Sequence, residues 1–305
     1  MTLDELESFL RIASGGGFSQ ASRALHRSQP AISRRIRSLE QSLGAPLFER
    51  RPRNLQLTAA GRALLPYAEA ALSALHDARA AVRVASGQRD AVPSLRLVIV
   101  GTLADVHIVQ ALQHFRTEFG RNSIAMRTAT SREVSALVRR GEADVGVRYF
   151  SDPDPKLESI ALGAERLFVV LPAQHPVRAQ RARDLRAFAE ETWLAFPPDP
   201  RRPEVPAQFR AQLLGAGLAD PVISYVDSLT AQKRLVEAGF GIALLSQSNA
   251  AEELGSGAIA TIRVGNLTAS HDVVAVVRRG GFLSAASQRL LEIIRREFSS
   301  KRVAR

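Results

Sequence analysis

Residues Ser19–Gly44 read SQASRALHRSQPAISRRIRSLEQSLG, and this stretch decides the fold. It divides into two short helices and a tight turn. Ser19 can cap the first helix, with Ala21, Ala24 and Leu25 on one face; His26 and Arg27 interrupt that pattern, and Ser28 offers a second cap. From Ser28 to Leu43 the apolar positions are Ile32, Ile36, Leu39 and Leu43, four, three and four residues apart, which stacks them into one stripe fit for burial. The opposite face carries Gln29, Pro30, Ser33, Arg34, Arg37 and Gln41. Amide, hydroxyl and guanidinium groups concentrated on the first half of a helix match what base edges and phosphates require of a reading head. An amphipathic surface helix with solvated arginines would look the same in isolation, so the flanking sequence has to separate the two readings.

Upstream, Leu3, Leu6, Phe9, Leu10 and Ala13 form another helical stripe that ends at Gly15, Gly16 and Gly17, supplying the third helix that a helix-turn-helix needs for a core. Downstream, the stretch from Ala45 to Thr58, APLFERRPRNLQLT, reads as two short strands around a basic turn, a wing. The whole run LDELESFLRIASGGGFSQASRALHRSQPAISRRIRSLEQSLGAPLFERRPRNLQLTAAGRALLPYA resembles, in order and spacing, the N-terminal winged helix-turn-helix of the LysR-type transcriptional regulators of bacteria. SQPAISRRIRSLEQSLGAPLFER is close to that family's own signature. The resemblance implies that Gln29, Pro30, Ser33 and Arg34 face bases in the major groove, with Ser28 and Arg37 beside them, and that Arg50 and Arg53 on the wing lie near phosphates or the minor groove.

Charge is consistent with that placement. Of 305 residues carrying a formal +11, residues 1–64 hold ten arginines against five acids, residues 91–277 hold 20 of each sign, and residues 278–305 hold eight against two. Excess concentrated on the helix-turn-helix locates a nucleic-acid footprint there, whereas the basic tail ending Lys301-Arg302-Val303-Ala304-Arg305 reads as a solvated terminus. There is no cysteine, hence no disulfide or thiolate site. MTLDELESFL is acidic where a signal peptide would be basic, and no apolar run approaches a membrane span, so a soluble, cytoplasmic chain is expected.

From Thr58 to about Ser86 the apolar positions Leu64, Ala68, Ala71, Leu75, Ala78 and Val82 form a coiled-coil seam, which predicts a dimerisation helix kinked at Pro66. The family uses this helix as its dimer linker. A short polar hinge follows, and beyond it strands and helices alternate. We expect strands near 95–100, 124–128, 144–148, 167–171, 193–196, 222–226, 242–245, 259–264 and 272–277. Helices are expected near 102–119, 131–140, 182–189, 206–214, 228–238 and 284–298. The fold class expected is α/β overall: a largely helical winged helix-turn-helix over 1–58, a linker helix over 59–87, a hinge over 88–93, and a two-lobed effector domain over 94–305. Its lobe I covers about 94–163 and 268–305, and lobe II about 164–267. The resemblance, held in LRLVIVGTLADVHIVQALQHF, VSALVRRGEADVGV, the stretch around RLFVVLPAQHPV and LVEAGFGIALLS, implies the architecture of periplasmic solute-binding proteins. Family members usually have proline where Ser246 stands and Leu-Leu-Pro where Ile108-Val109-Gln110 stands, and the prolines at 197, 198, 200, 203 and 206 form a stiff segment without a family counterpart.

In an open α/β lobe, ligands sit beyond the carboxyl ends of strands, where the next helices begin. Hydroxyls stand at three such places, Thr102, Thr130 with Ser131, and Ser228, and helix N-termini there would favour an anionic effector, with Arg148 and Arg202 as guanidinium partners. The plain alternative is that these hydroxyls cap their own helices. By resemblance, effectors of the family commonly meet Ser or Thr at the Thr102 and Ser131 positions. His107 and His114 share a helix face but lie roughly 10.5 Å apart, too far to hold one metal, and no G-x-S-x-G, Walker A or G-x-G-x-x-G motif occurs. No catalysis, cofactor or metal is therefore expected. The expected partners are double-stranded DNA at an imperfect inverted repeat, a small-molecule effector, a second copy of the chain pairing onward into tetramers, and, by resemblance, RNA polymerase. The rival reading is a small-molecule binding module without a DNA role, against which Ser28 to Arg37 and the missing signal peptide weigh.

Overall fold

The computed structural model describes residues 1–51, 54–86, 95–120, 124–177, 181–198, 204–267 and 269–300. Helix α1 (Leu3–Arg11) starts on a reciprocal cap: the Thr2 hydroxyl accepts the Glu5 N–H, and the Glu5 carboxylate accepts the Thr2 N–H at 2.7 Å. A π turn over Ile12–Gly16 then leads into α2 (Gly17–Ala24). Ser19 is therefore inside a helix and caps nothing, because the three glycines let the chain turn before it. Helix α3 (Gln29–Leu43) starts at Ser28, whose hydroxyl accepts the Ala31 N–H, and stops at Gly44 in the left-handed region. Ile32, Ile36 and Leu39 are buried as the spacing predicts, but Leu43 is 42% exposed, one turn beyond the reach of the head core. Strands β1 (Phe48–Arg51) and β2 (Asn54–Leu57) pair antiparallel as the wing.

Helix α4 (Ala59–Ala85) runs as one element of 27 residues with Pro66 inside it. The seam read from sequence divides in two. Ala68 is buried in the head core and Leu64 packs against it, because the first turns of α4 close the head beneath α1; Ala71, Ala78 and Val82 stay exposed, with Leu75 half-buried. Another side of α4 docks on the effector domain. Glu69 accepts two bonds from Arg139, at 3.0 and 3.3 Å, and Arg139 also reaches Asp154 at 3.0 Å. Asp77 accepts from the Arg278 guanidinium and from the Phe282 N–H, and His76 approaches Asp144 at 3.7 Å. From the head itself Arg11 bonds Glu142 at 3.0 Å. Burial pushes the Glu142 carboxyl up, but Arg140 and Arg11 outweigh it and hold the group below the usual carboxylate range. The hinge expected over 88–93 and the basic tail from Lys301 lie outside the described residues.

The effector domain continues with β3 (Leu95–Val100), α5 (Val106–Phe119), β4 (Ile124–Ala129), α6 (Ser131–Arg139), β5 (Val145–Tyr149) and β6 (Leu157–Pro172). Then come β7 (Arg181–Ala182), β8 (Thr192–Ala195), α7 (Glu204–Gly215), β9 (Val222–Tyr225), α8 (Leu229–Glu237) and β10 (Ile242–Ser246). Helix α9 (Ala251–Ser256), β11 (Ile259–Val264), β12 (Ser270–Arg278) and α10 (Ala285–Ser300) complete it. The sheet order is β4-β3-β5-β12-β6-β10-β8-β9, with β11 paired to both β6 and β7. Strand β6 belongs to both lobes: its first part pairs with β12, and its last residues lie between β10 and β11. In lobe I, α5 and α10 cover one face around Phe115 and Ile294, while α6 covers the other around Val134 and Val138. In lobe II, Trp193 and Phe188 centre one core and Val236 and Leu245 the other.

Three expectations need correction. The strand expected at 167–171 is the second half of β6. The helix expected near 182–189 is a 3-10 turn over Leu185–Phe188. The helix expected from Thr102 starts at Val106 after a 3-10 turn over Gly101–Leu103, because the Asp105 carboxylate, accepting the His107 and Ile108 N–H groups at 3.0 and 3.2 Å, is the cap. Helix α9 was not foreseen.

Candidate nucleic-acid interface and effector site

Each face of α3 has one task. The buried stripe fixes the helix on α1, where Ser38 donates to Glu5 at 2.6 Å and Arg35 to Asp4 at 2.5 Å; the Ser38 bond, against burial, holds the Glu5 carboxyl below its usual range. On the other side Ser28, Gln29, Pro30, Arg34 and Arg37 are exposed and Ser33 is half-buried. Among the described residues neither Arg34 nor Arg37 meets a carboxylate, in contrast to Arg35 between them. Two exposed guanidinium groups on this helix face are available for acceptors on a partner.

The wing is aimed by two residues that the sequence reading missed. Glu40, on α3, accepts the Leu47 N–H at 2.7 Å and the Phe48 N–H at 3.4 Å. Thr58 donates to the Pro46 carbonyl at 2.6 Å and accepts the Gly61 N–H at 3.0 Å, tying the wing to the start of α4. Phe48 then packs on Phe9, with centroids 5.4 Å apart. The Arg50 side chain and all of Arg53 lie outside the described residues.

Five of the six effector residues expected at the lobe junction lie among the described ones, and most of them are held by local partners. Arg148 is 2% exposed and spends its guanidinium on Ser135, Asp152 and the Tyr149 carbonyl; it is a structural ion pair of lobe I, because Asp152 four residues on supplies the countercharge. Thr130 caps α6 in a reciprocal box with Glu133, beside Ser131 in the first turn, and Ser228 caps α8 through the Ala231 N–H. Arg202 lies outside the described residues. Thr102 alone points to something else: its hydroxyl donates to Tyr149 Oη at 3.3 Å.

From there a hydrogen-bonded chain crosses the junction. Tyr149, at the end of β5, donates to Glu165 Oε2 at 3.0 Å; Ser248, following β10 in lobe II, donates to Glu165 Oε1 at 3.0 Å; and Ser248 meets Ser246 at 2.9 Å. Glu165 sits on β6 at 2% exposure, directly opposite His271 on β12. Burial, reinforced by Glu165, keeps the Tyr149 hydroxyl protonated, and burial pushes the His271 imidazole below its ordinary range. Phe150, whose ring stands edge-on to His271 at 5.2 Å, holds φ 59°, a backbone state that bulky residues rarely adopt and that concentrates at functional sites. A lone acid in the apolar run ERLFVVLP was the one sequence signal for this cluster. Among the described residues no group of three His, Asp or Glu is placed to hold a metal ion, and no helix is long and apolar enough to cross a membrane.

Comparison with known proteins agrees with both ends of this description. Residues 3–62 match the model for the bacterial regulatory helix-turn-helix protein of the lysR family, and residues 88–299 match the LysR substrate binding domain. The HTH-type transcriptional regulator TfdS of Cupriavidus pinatubonensis is 33% identical over 258 residues, 82% of this chain and 84% of that one. The crystal structure of CbnR, a LysR family transcriptional regulator, is 25% identical and superposes with a TM-score of 0.58 over 96% of this chain and all of that one. A full-length OxyR variant from Pseudomonas aeruginosa, 21% identical, shares the fold with a TM-score of 0.68 over 98% of this chain and 94% of that one. CbnR has also been solved with its target DNA, 24% identical with a TM-score of 0.57 over 98% of this chain and 100% of that one. With a helix-turn-helix at one end and a two-lobed α/β domain at the other, each matched by its own family model, the chain belongs to the LysR family of DNA-binding transcriptional regulators and is not an enzyme.

Proposed function

We propose that two copies of the chain present their α3 helices to an imperfect inverted repeat, and that a small molecule bound between the lobes alters how the two heads are held. One observation carries this reading: α4 is packed into the head core through Ala68 and ion-paired to lobe I through Glu69 and Asp77, so a shift of lobe I moves the head with it. The exposed strip of Ala71, Ala78 and Val82, with Leu75 beside it, faces the second copy. Pairing onward into tetramers, contact with RNA polymerase and residence in the cytoplasm accompany this role.

Binding of promoter DNA tests the first half. Arg34→Ala should lose about 1–3 kcal/mol of sequence discrimination, roughly 5- to 150-fold. Arg53→Ala should instead weaken binding to every sequence and flatten the dependence of log K on log salt by about 0.9. Specific affinity left intact in Arg34→Ala would put the reading helix in another register. For the second half, Leu75→Glu should halve the mass seen in ultracentrifugation; an unchanged mass moves the dimer contact off α4. A metabolite that stabilises the wild type should lose its effect on Thr102→Val, and one that stabilises both equally binds outside the junction.

A further inference from the structure

Side chains from both lobes end on one carboxyl group. Glu165 stands on β6 where that strand passes from its pairing with β12 to its pairing with β10. Tyr149 of lobe I reaches its Oε2 and Ser248 of lobe II its Oε1, at 3.0 Å each. A hydroxyl both donates and accepts, so the two contacts hold whichever atom carries the shared proton. The Asn249 side chain, next to Ser248, also bonds the Tyr149 hydroxyl, and the turn after β10 thereby meets the end of β5 twice.

Each side of this contact is braced from behind. In lobe II, Ser246 stands where the family usually has proline; its hydroxyl accepts the Asn249 N–H at 3.3 Å and meets Ser248 Oγ at 2.9 Å. Proline would supply neither bond. In lobe I, Phe150 ends β5 at φ 59°, held by its N–H on the Asp272 carbonyl at 2.9 Å and by His271 edge-on to its ring. Strained backbone of this kind persists only where its surroundings over-determine it, which fixes the place of Tyr149 beside it. At the other end of β5, Asp144 bonds Arg96 at 2.6 Å and lies 3.7 Å from His76 on α4. One five-residue strand therefore runs from the linker helix to the contact with lobe II.

We propose that Tyr149 and the 246–249 turn form a latch that holds lobe II against lobe I, with Glu165 as the shared catch. Hinge motions of two lobes bend a few residues where the chain crosses between them, and a side-chain tie across the gap opposes that bending. The latch is a property of the free chain and goes beyond the proposed function, because it needs neither DNA nor an effector.

The test reads the lobe arrangement directly. The sequence has no cysteine, so Thr117→Cys on α5 and Ala238→Cys after α8, both exposed, give two spin-label positions on the full chain. Labelled chain diluted into excess unlabelled chain reports distances within one copy. The expected wild-type result is a single narrow distance. Tyr149→Phe and Ser248→Ala should each populate a second distance, changing the ratio of latched to unlatched chains by roughly 2- to 12-fold, the worth of one hydrogen bond. Gln247→Ala, an exposed neighbour in the same turn, should match the wild type. If Tyr149→Phe folds poorly, Ser248→Ala decides alone, since it removes one hydroxyl from a half-buried turn residue. A wild type already spread over two distances, wild-type distances in the variants, or an equal change in Gln247→Ala overturns the latch. None of these outcomes bears on promoter binding, so the proposed function stands or fails separately.

Discussion

Gly61→Ala is expected to abolish the DNA-binding head while sparing the effector domain. A Cβ at Gly61 would lie 2.2 Å from the Leu47 carbonyl oxygen and 2.9 Å from Leu57 Cδ2. The first contact is with backbone, so no rotamer change relieves it. That carbonyl also accepts the Thr58 N–H at 3.0 Å, which means the methyl group forces apart the entry to the wing and the first turn of α4. We expect a loss of about 3 kcal/mol or more, the upper end of what overpacking costs. For a domain the size of the head this corresponds to a fall of roughly 12–24 °C in its melting temperature. Calorimetry should show the head transition moving alone, and specific DNA retardation should vanish. An unchanged head transition would mean that α4 does not start against the wing.

The second large effect is expected at Gly141, and it separates the domains without unfolding either. Gly141 has φ 70°, and its Cβ would fall 2.7 Å from Ser73 Oγ and 3.0 Å from Ser73 Cα. Valine there meets two penalties: about 1–3 kcal/mol for left-handed backbone in a β-branched residue, and a collision with α4. The strain can be relieved by lifting α4 off lobe I, at the expense of the Glu69–Arg139 and Asp77–Arg278 pairs. Spin labels on α4 and α6 should report a broadened, longer distance in Gly141→Val, with DNA affinity of the head retained. Gly141→Asn isolates the collision, because asparagine tolerates the backbone state. If Gly141→Asn keeps the wild-type distance, the contact with Ser73 does not hold the helix.

How much of this was legible in the sequence follows the range of the interactions. Helix α3 was readable because its cap at Ser28, its stop at Gly44 and its four-three spacing all lie within sixteen residues of one another. Ala68 continues the seam in sequence yet lies in the head core, because a heptad seam and an amphipathic face packed on its own domain share a period. Arg148 looked like an anion ligand at a strand end; only the fold brings Asp152 and Ser135 round it. Glu165 went unnoticed because its partners stand far along the chain, Tyr149 16 residues before it and Ser248 83 residues after. The long β6 was seen only in its apolar second half, since its first half, LESIALGA, has neither a period-two alternation nor a β-branched apolar run and is specified by pairing with β12.

That pairing bears on the order in which the molecule is made. Strand β12 inserts between β5 and β6, and α10 covers the face of lobe I that α5 shares. Lobe I therefore lacks both the strand that joins β5 to β6 and one of its covering helices until the chain beyond Ser270 has been synthesised, whereas the head is complete once the first turns of α4 have been made. Folding proceeds from the N-terminus during synthesis, and non-local sheet pairing is slow. On the ribosome the head is a finished unit while lobe I still lacks the strand that joins β5 to β6, and the Asp77–Arg278 pair that ties α4 to that strand is among the last contacts of the molecule to form.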